Sequence, residues 1–508
     1  MKVFVRESTG LVREVGPFKL LLMSMGYNGF LTIPFVYLAG LYLYGAGGAI
    51  AYIALVVSWL MFIPGGALIW YYITRQCPRT AGDYVYFSRL NPYIGFAAWF
   101  NFTVGEMLYD AVLVYFAIAQ LGTVMQALNN PLASVVLNPR NEFILAVILI
   151  IVLIMVNVVS ARAGLTMFAA MSLAALATFV ASTVYVLLLP RGIIESSLGT
   201  EYLKALNEAN KASVTSGLYG LFGMIAFTTA VWAYVNYPPV TIGGEIRRDR
   251  LTALLGVIGM FALGGLLFTL FITAFLRGFG LRFYIGASYM SAYGVDNGYV
   301  LVNPPGADLA LIHTPIAIAL AYSSVLWYIA PVTGVIIQIS RYLLAFSMDR
   351  VLPRAFSYVS LRTHSPIVAH LVDLVVTIVL IYILTLTPLS AALLYAINLD
   401  ALVLLVFTFV VSMVLALVMH ARGITKLGVN RRVLIALDVI YLAVLSIFAY
   451  YWLTQPQYYL FITGNPLQLL AESSVIFIIG LAIFAVASYI RRREGIPLTL
   501  TYMEIPPE

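Results

Sequence analysis

The feature that most constrains this chain is the recurrence of apolar segments long enough to cross a lipid bilayer. A membrane-spanning helix needs about 20 predominantly apolar residues. Only 10% of the 508 residues are charged and 62% are apolar, whereas about a quarter of a soluble domain is charged. The sequence therefore predicts an all-α integral membrane protein without a separate soluble domain. Twelve spans are predicted, near residues 17–44, 48–75, 92–127, 142–160, 163–189, 217–244, 251–275, 311–345, 366–386, 389–418, 432–453 and 470–490.

The distribution of basic residues predicts how the chain is oriented. When the connections between spans are assigned alternately to two sides, most of the 28 Lys and Arg residues fall on the side that holds both termini. Loops rich in these residues stay in the cytoplasm, so we expect a plasma-membrane protein with both termini cytoplasmic. The net charge of +7 then reflects topology and implies no nucleic-acid partner. The single cysteine, Cys77, excludes an internal disulfide framework.

The order of the spans indicates an internal repeat. The first five spans occupy residues 17–189, the next five occupy 217–418, and the last two occupy 432–490. Because each unit has an odd number of spans, the second unit is inverted relative to the first, as in many transporters. The leading span of each unit is interrupted, by Gly-Tyr-Asn-Gly at 26–29 and by WAYVNYPPVTIGG at 232–244. Matched interruptions predict a binding site where the two repeats meet.

The two interruptions have opposite polarity. Two consecutive prolines, Pro238 and Pro239, lack backbone N–H groups. The carbonyls of Tyr234 and Val235 therefore lose their helical partners, and a buried carbonyl needs another donor. The partly negative helix end there suits an ammonium group or a cation. The first span resumes after Gly29 with free N–H groups, which suit a carboxylate. Together the breaks predict a site for a zwitterion.

Three sequence blocks resemble a known family of transporters. The blocks are PRTAGDYVYFSRLNPYIGFAAW (78–99), WAYVNYPPVTIGGEIRRDR (232–250) and ISRYLLAFSMDRVLPRAF (339–356). They are similar to the segment after span 2, to span 6 with its following glutamate and basic loop, and to the end of span 8 in the amino acid–polyamine–organocation (APC) transporters. The resemblance covers about residues 17–418. It implies the LeuT-type fold of five plus five inverted spans with broken helices 1 and 6, an amino acid or related amine as substrate, and alternating access as mechanism.

The resemblance also implies which residues bind substrate. Residues 26–29 correspond to a glycine-rich cradle for the carboxylate, and Trp232 corresponds to an aromatic gate. This sequence departs from the family at Asn236, where the second break normally has glycine, and at Tyr27 and Asn28, where small residues are usual. We therefore expect a remodelled pocket, and a different small organic cation or a nucleobase stays an alternative cargo. The predicted substrate-binding residues are Ser24, Gly26, Tyr27, Asn28, Gly29, Trp232, Tyr234, Val235, Asn236 and Tyr237.

Acids and hydroxyls inside the spans are candidates for ion coupling. Glu106 and Asp110 stand four residues apart on one face of span 3, and Asp400 lies in span 10. Intramembrane acids are rare and commonly functional. Glu106 and Asp110 either contact substrate or relay protons, or they lie near a wet vestibule or bond a neighbouring helix. The resemblance points to Thr333 as a sodium ligand, although such hydroxyls often bond within their own helix. No cofactor is predicted beyond a coupling Na⁺ or H⁺.

Polar residues near the predicted membrane surfaces are given no chemical role. Asp373 and Asp438 lie within two turns of a cytoplasmic end, and the four histidines are expected mostly at the interfaces. The segment YVYFSRL (84–90) is expected to lie among lipid headgroups as an amphipathic helix. A short surface helix is expected within residues 190–216.

Rival functions fit the sequence less well. An enzyme is not expected, because no cluster of catalytic His, Asp or Cys residues is visible near one interface. A sensor or receptor that keeps the transporter fold is the main alternative, but tails of under twenty residues offer little surface to a signalling partner. The expected partners are the lipid bilayer and a small-molecule substrate, an amino acid or amine. The oligomeric state is not predicted.

Overall fold

In the part of the chain that the structure describes, the regular elements are helices, with two isolated β-bridges between loop segments. The computed structural model describes residues 9–27, 38, 49–211, 218, 220–222, 225, 237–292, 305–387, 407–425, 427–454 and 466–503. The first half contains α1 (Pro17–Tyr27), α2 (Ala49–Met61), α3 (Trp70–Gln76), α4 (Gly82–Leu90), α5 (Pro92–Ala127), α6 (Ala133–Val136), α7 (Pro139–Val159), α8 (Ala161–Leu188), α9 (Arg191–Ala209) and α10 (Tyr237–Thr241). The second half contains α11 (Arg250–Ala253), α12 (Met260–Gly278), α13 (Leu281–Ala292), α14 (Pro305–Asp308), α15 (Pro315–Ser323), α16 (Leu326–Met348), α17 (Ile367–Leu386), α18 (Phe407–Ala421), α19 (Arg431–Thr454), α20 (Pro466–Arg493) and α21 (Leu498–Thr501).

Seven of the described helical segments are long and apolar enough to cross a membrane. Each overlaps a predicted span, so these spans are confirmed as apolar helices. A bent pair formed by α2 and residues 63–76 makes an eighth if it is one span. The twelve-span topology and the two inverted repeats stay predictions, because parts of spans 1, 6 and 10 lie outside the described residues. The seven segments are Pro92–Ala127, Pro139–Val159, Ala161–Leu188, Arg250–Gly278, Pro315–Met348, Ile367–Leu386 and Ser473–Arg493.

The bend in the second span has a local cause. Pro64 lies near the start of a π-helical turn, Ile63–Ile69, between α2 and α3, and the two halves are bent by 40°. Proline removes one backbone hydrogen bond of the helix and opens its ladder. A Cβ atom on Gly65 would lie 2.1 Å from the ring of Tyr441, so this turn packs directly on α19. The bend is therefore part of the packing of the bundle.

The long helix α5 is the centre of the bundle. It packs against α4, α7, α16, α17 and α20. Near its start the ring of Trp99 stacks on Tyr342 of α16 at 5.6 Å, and Phe102 meets the same ring edge-on at 5.4 Å. These side chains are fully buried. Large aromatic contacts of this kind supply much of the packing energy of a core, and here they hold α5 against α16.

The helix after the second span does not lie among lipid headgroups, and that prediction was wrong. All nine residues of α4, Gly82–Leu90, are buried inside the protein. Its aromatic rings pack inward, with Tyr84 edge-on to Phe346 at 4.8 Å. Its arginine, Arg89, forms a buried ion pair with Asp349. An amphipathic pattern is ambiguous because an internal ion pair can satisfy the polar face as water does. By contrast, the helix expected within residues 190–216 is confirmed as α9.

The histidines divide between the surface and the core. His313 and His364 are exposed, whereas His370 and His420 are buried inside the protein. That most histidines lie at the membrane interfaces stays a prediction. His420 lies 2.5 Å from the hydroxyl of Tyr86 and 2.5 Å from Asp438, so its ring joins α4, α18 and α19. A polar side chain tolerates this depth when hydrogen bonds replace those of water.

Candidate functional site

The described part of the first helix reaches the interior of the protein, where the sequence predicts the carboxylate cradle. Ser24, Gly26 and Tyr27 are all buried. A Cβ atom on Gly26 would lie 1.9 Å from the hydroxyl of Ser172 on α8. That hydroxyl donates to the carbonyl of Phe168 in its own helix. Glycine at position 26 is therefore required for α1 to approach α8 closely.

The tyrosine that ends α1 contacts one of the predicted intramembrane acids. The Tyr27 hydroxyl donates to Oε2 of Glu106 at 2.9 Å, and both side chains are buried. The Tyr27 ring packs closely beside Gly334 of α16, where an added Cβ atom would lie 2.7 Å from it. Oε1 of Glu106 has no hydrogen-bond partner among the described residues. The end of α1 is thus joined to α5 through a carboxyl group that keeps one oxygen for another partner.

The second predicted acid on α5 reaches a different helix. Oδ2 of Asp110 lies 3.5 Å from the hydroxyl of Thr377 on α17. Glu106 and Asp110 therefore share a helix face, as predicted, but contact α1 and α17 respectively. Each bonds a neighbouring helix, which is one of the interpretations that the sequence left open. Such bonding does not exclude a proton relay, because each acid keeps one oxygen without a partner among the described residues.

The hydroxyl group of Thr333, the candidate sodium ligand, donates its hydrogen bond within its own helix. It is fully buried, and its hydroxyl donates to the carbonyl of Ala330 at 2.6 Å. Such back-bonding is common for hydroxyls in membrane helices. Its lone pairs still make it a possible ligand, so its role in coupling stays a prediction.

Of the other predicted site residues, Tyr237 belongs to the short helix α10. The residues outside the described part of the chain are Asn28, Gly29, Trp232, Tyr234, Val235, Asn236 and Asp400.

After α10, backbone hydrogen bonds connect the segment 241–245 to two segments that are distant in sequence, one near Val15 and one near Ala81. The N–H of Ala81 donates to the carbonyl of Thr241 at 2.8 Å, and Thr80 and Ile242 form an isolated bridge. On the other side, the N–H of Val15 donates to the carbonyl of Glu245 at 3.0 Å. The chain that leaves the double proline is therefore held between the N-terminal segment and the loop after α3.

Two buried ion pairs close the same end of the bundle. Arg341 of α16 donates to both oxygens of Glu245, at 2.7 and 3.0 Å. Arg89 of α4 donates to both oxygens of Asp349, each at 2.7 Å. Bidentate pairs of this kind are strong and directional. All four side chains are about 5% exposed or less, so these pairs hold together segments that lie far apart in the sequence.

A third buried acid joins this cluster, and it has no basic partner among the described residues. The Tyr342 hydroxyl donates to Asp83 of α4 at 2.7 Å and lies 3.3 Å from the Thr241 hydroxyl. The helix α4 lies outside the spanning segments. Burial raises the pKa of the Asp83 carboxyl to about 7, although hydrogen bonds from Tyr342 and from the Tyr84 N–H favour its ionised form. We call the cluster formed by Asp83, Arg89, Glu245, Arg341, Tyr342 and Asp349 the arginine network.

The arginine network was missed as a structural unit, although a signal for it was available. Its six members all lie within the three sequence blocks that carry the family resemblance: 78–99, 232–250 and 339–356. At the level of the sequence, those blocks predicted only the fold and the substrate class. The signal was that acids, arginines and a tyrosine occur together at the ends of three apolar segments. Which acid pairs with which arginine can be seen only in the tertiary structure.

Comparison with known families agrees with that resemblance. The family model described as "Amino acid permease" matches residues 16–488. This range includes the end of α1, both intramembrane acids on α5 and the whole arginine network. Comparison with curated proteins gives no match.

Proposed function

Because the chain belongs to the amino acid permease family, whose members are transporters, we propose that it is a secondary active transporter. It moves an amino acid or a related amine across the plasma membrane by alternating access, either coupled to an ion or by exchange. Its substrate binds where the breaks in spans 1 and 6 meet. No enzymatic step is part of this proposal.

The observation that carries the proposal is the contact between Tyr27 and Glu106, beside the interruption predicted in span 1. Both side chains are buried, and the Tyr27 hydroxyl donates to the carboxyl group of Glu106. In membrane proteins interrupted helices are tolerated where they line a cavity. The contact supports a polar pocket beyond Tyr27, formed by the segment that includes Asn28 and Gly29.

The roles within the pocket follow from the polarity of the two breaks. Backbone N–H groups after Gly29 hold the substrate carboxylate. The carbonyls of Tyr234 and Val235 hold the substrate amine, and Trp232 covers the pocket. The Asn236 side chain adds a hydrogen-bond donor and an acceptor, which help the pocket to discriminate between substrates with different side chains. These assignments extend the sequence argument, and the contact between Tyr27 and Glu106 supports where the pocket begins.

The arginine network supplies the gate in this mechanism. With both ion pairs formed, the segment after the double proline is held to α16 through Glu245 and Arg341, and α4 is held to Asp349 at the end of α16 through Arg89. Alternating access then requires these pairs to separate when the pocket opens to the predicted cytoplasmic side. A buried arginine separated from its acid is costly unless water enters with it, so opening and hydration occur together.

Counterflow in liposomes tests the proposal. Purified protein is reconstituted with an unlabelled amino acid inside, and entry of the labelled compound is followed over panels of amino acids, polyamines and nucleobases. We expect saturable exchange for one chemical class. Gly26→Val should abolish exchange because the side chain collides with Ser172. Gly192→Val, at a glycine with no neighbour within 4 Å of an added Cβ atom, is the matched control.

Two outcomes would contradict the proposal. Ligand-induced thermal stabilisation without exchange of that ligand would favour the sensor alternative. Exchange that survives Gly26→Val with unchanged affinity would place the pocket away from the end of α1.

A further inference from the structure

Two acids on different helices meet at one hydroxyl in the middle of the bundle. Asp110 lies on α5, and Asp373 lies on α17 with Thr377 one turn further on. The Thr377 hydroxyl is 3.5 Å from Oδ2 of Asp110 and 3.4 Å from Oδ1 of Asp373. All three side chains are 0% exposed. We call Asp110 and Asp373 the acid pair. Sequence position alone gave Asp373 no role, because it lies near the start of its span.

The acid pair has no basic partner among the described residues. No ion pair is formed by either carboxyl group in the described part of the chain. The other oxygens, Oδ1 of Asp110 and Oδ2 of Asp373, have no hydrogen-bond partner there either. A single hydroxyl has one proton, so Thr377 donates to only one of the two acids at a time.

The groups that face the pair do not neutralise it. On α5 the nearest charged group is Glu106, which is another acid and lies within electrostatic range of Asp110. On α16 the guanidinium of Arg341 is held by Glu245. On α7, which packs against both helices, the charged residues are Arg140 and Glu142 in the first turn. Burial and mutual repulsion both disfavour the second negative charge on two adjacent carboxylates, so the closed pair retains one proton.

A proton fits this site better than a metal ion. Hard cations gather about six oxygen ligands, whereas the site offers two carboxyl groups and one hydroxyl. No group of three or more His, Cys, Asp or Glu residues suited to a metal ion is found in the described part of the chain. A shared proton needs only two oxygens and an adjustable hydroxyl. One carboxyl is then neutral, the other is an anion, and Thr377 donates to the anion.

A second, independent feature lies one turn from the pair on α17. His370 is 0% exposed, and neither of its ring nitrogens has a hydrogen-bond partner among the described residues. It stands three residues before Asp373, on the side of the pair nearer the predicted cytoplasmic end. A neutral imidazole accepts a proton on one nitrogen and releases one from the other. It provides a polar step between the pair and the arginine network, since Arg341 of that network lies within electrostatic range of the His370 ring.

We infer that Asp110, Asp373 and Thr377 bind one proton shared between the two carboxyl groups, and that loading and release of this proton drive transport. The inference rests on the proposed transport function. Glu106, one turn from Asp110, connects the site to Tyr27 at the substrate cradle. Protonation removes one negative charge from the interface of α5 and α17, which favours closer packing of these helices. Release restores the charge and loosens them.

The first test separates coupling from transport. In proteoliposomes, Asp110→Asn and Asp373→Asn should each abolish substrate accumulation driven by an inward proton gradient, because an amide cannot exchange the proton. Counterflow, which needs no net proton movement, should persist. Thr377→Val tests the hydroxyl group, and Thr385→Val is its matched control. Thr385 lies on the same helix, and its hydroxyl donates to the carbonyl of Ile381. Only Thr377→Val should weaken coupling, and Thr377→Ser should restore it.

The second test needs no transport at all. Infrared difference spectra of the purified protein across a pH titration should show the carbonyl stretch of a protonated buried carboxyl group. This band should disappear in Asp373→Asn and shift in Thr377→Val. Proton-driven accumulation that survives both Asp→Asn substitutions, or an unchanged infrared band, would overturn the inference. Absence of counterflow by the unaltered protein would instead overturn the proposed transport function, and the infrared result would still stand.

Discussion

Near the predicted cytoplasmic end, the buried acids Glu245 and Asp349 each accept two hydrogen bonds from an arginine. Deeper in the same bundle, Glu106, Asp110 and Asp373 are equally buried but have hydroxyl partners only. The first arrangement satisfies every charge and joins distant segments. The second leaves carboxyl oxygens without partners in the described part of the chain. Paired acids suit a gate that holds one conformation, and unpaired acids suit a site that gains and loses a proton.

The largest effect is expected where one partner of a gate pair is removed. Arg341→Met leaves Glu245 buried without its arginine, which should reduce the free energy of unfolding by about 3–5 kcal/mol. Thermal unfolding in detergent measures the change. Arg162→Ala is the control, because its ion pair with Glu14 is at the surface, with 82% of the Arg162 side chain exposed, and such pairs contribute less than about 1 kcal/mol. The comparison fails if the two variants unfold alike.

A second effect concerns the contact between α1 and α8. Gly26→Ala should destabilise the protein by about 1–3 kcal/mol, as overpacking does in tight interiors, because the new methyl group overlaps Ser172. The double variant with Ser172→Gly should recover most of the loss. Gly192→Ala, which has open space around it, should be neutral or stabilising. If Ser172→Gly restores nothing, Gly26 is needed for its backbone conformation rather than for packing.

The third prediction uses pH to distinguish acids within the arginine network. The pKa of Asp83 is raised from 3.8 to about 7 by burial, so its protonated form is favoured in the folded state. Its contribution to stability is full below about pH 4 and is lost as pH rises through about 7. Unfolding midpoints measured from pH 4 to 8 should therefore decrease, and Asp83→Asn should flatten this decrease. An equally steep profile in the Asn variant would assign the effect to another group.

The smallest effect is on the labelling of single cysteines by a maleimide. This experiment determines on which side of the membrane the arginine network lies. Cys77 is buried, so Cys77→Ser provides a background for single cysteines. Leu203→Cys and Leu361→Cys place thiols at positions 60% and 91% exposed. A membrane-impermeant maleimide should label position 203 on intact cells and position 361 only after permeabilisation. The reverse pattern would place the arginine network on the outer side.

The sequence predicted well what depends on periodic patterns. Apolar length located the seven confirmed spans, and helix spacing placed Glu106 and Asp110 on one face. It failed where a residue's role depends on a partner that is distant in sequence. Asp373 looked peripheral from its distance to the span end, yet it meets Asp110, which lies more than 250 residues earlier. Likewise, α4 looked interfacial because its ion-pair partner Asp349 cannot be inferred from α4 alone.

The most direct test of the whole account follows the arginine network while substrate is transported. Ser340 is fully buried and accepts a hydrogen bond from Arg341, so Ser340→Cys in the Cys77→Ser background reports whether this region opens. We predict slow modification by a small maleimide without substrate, and faster modification when the amino acid that gives counterflow is added. Modification that is equally slow with and without a transported amino acid would contradict the proposal that these ion pairs form the gate.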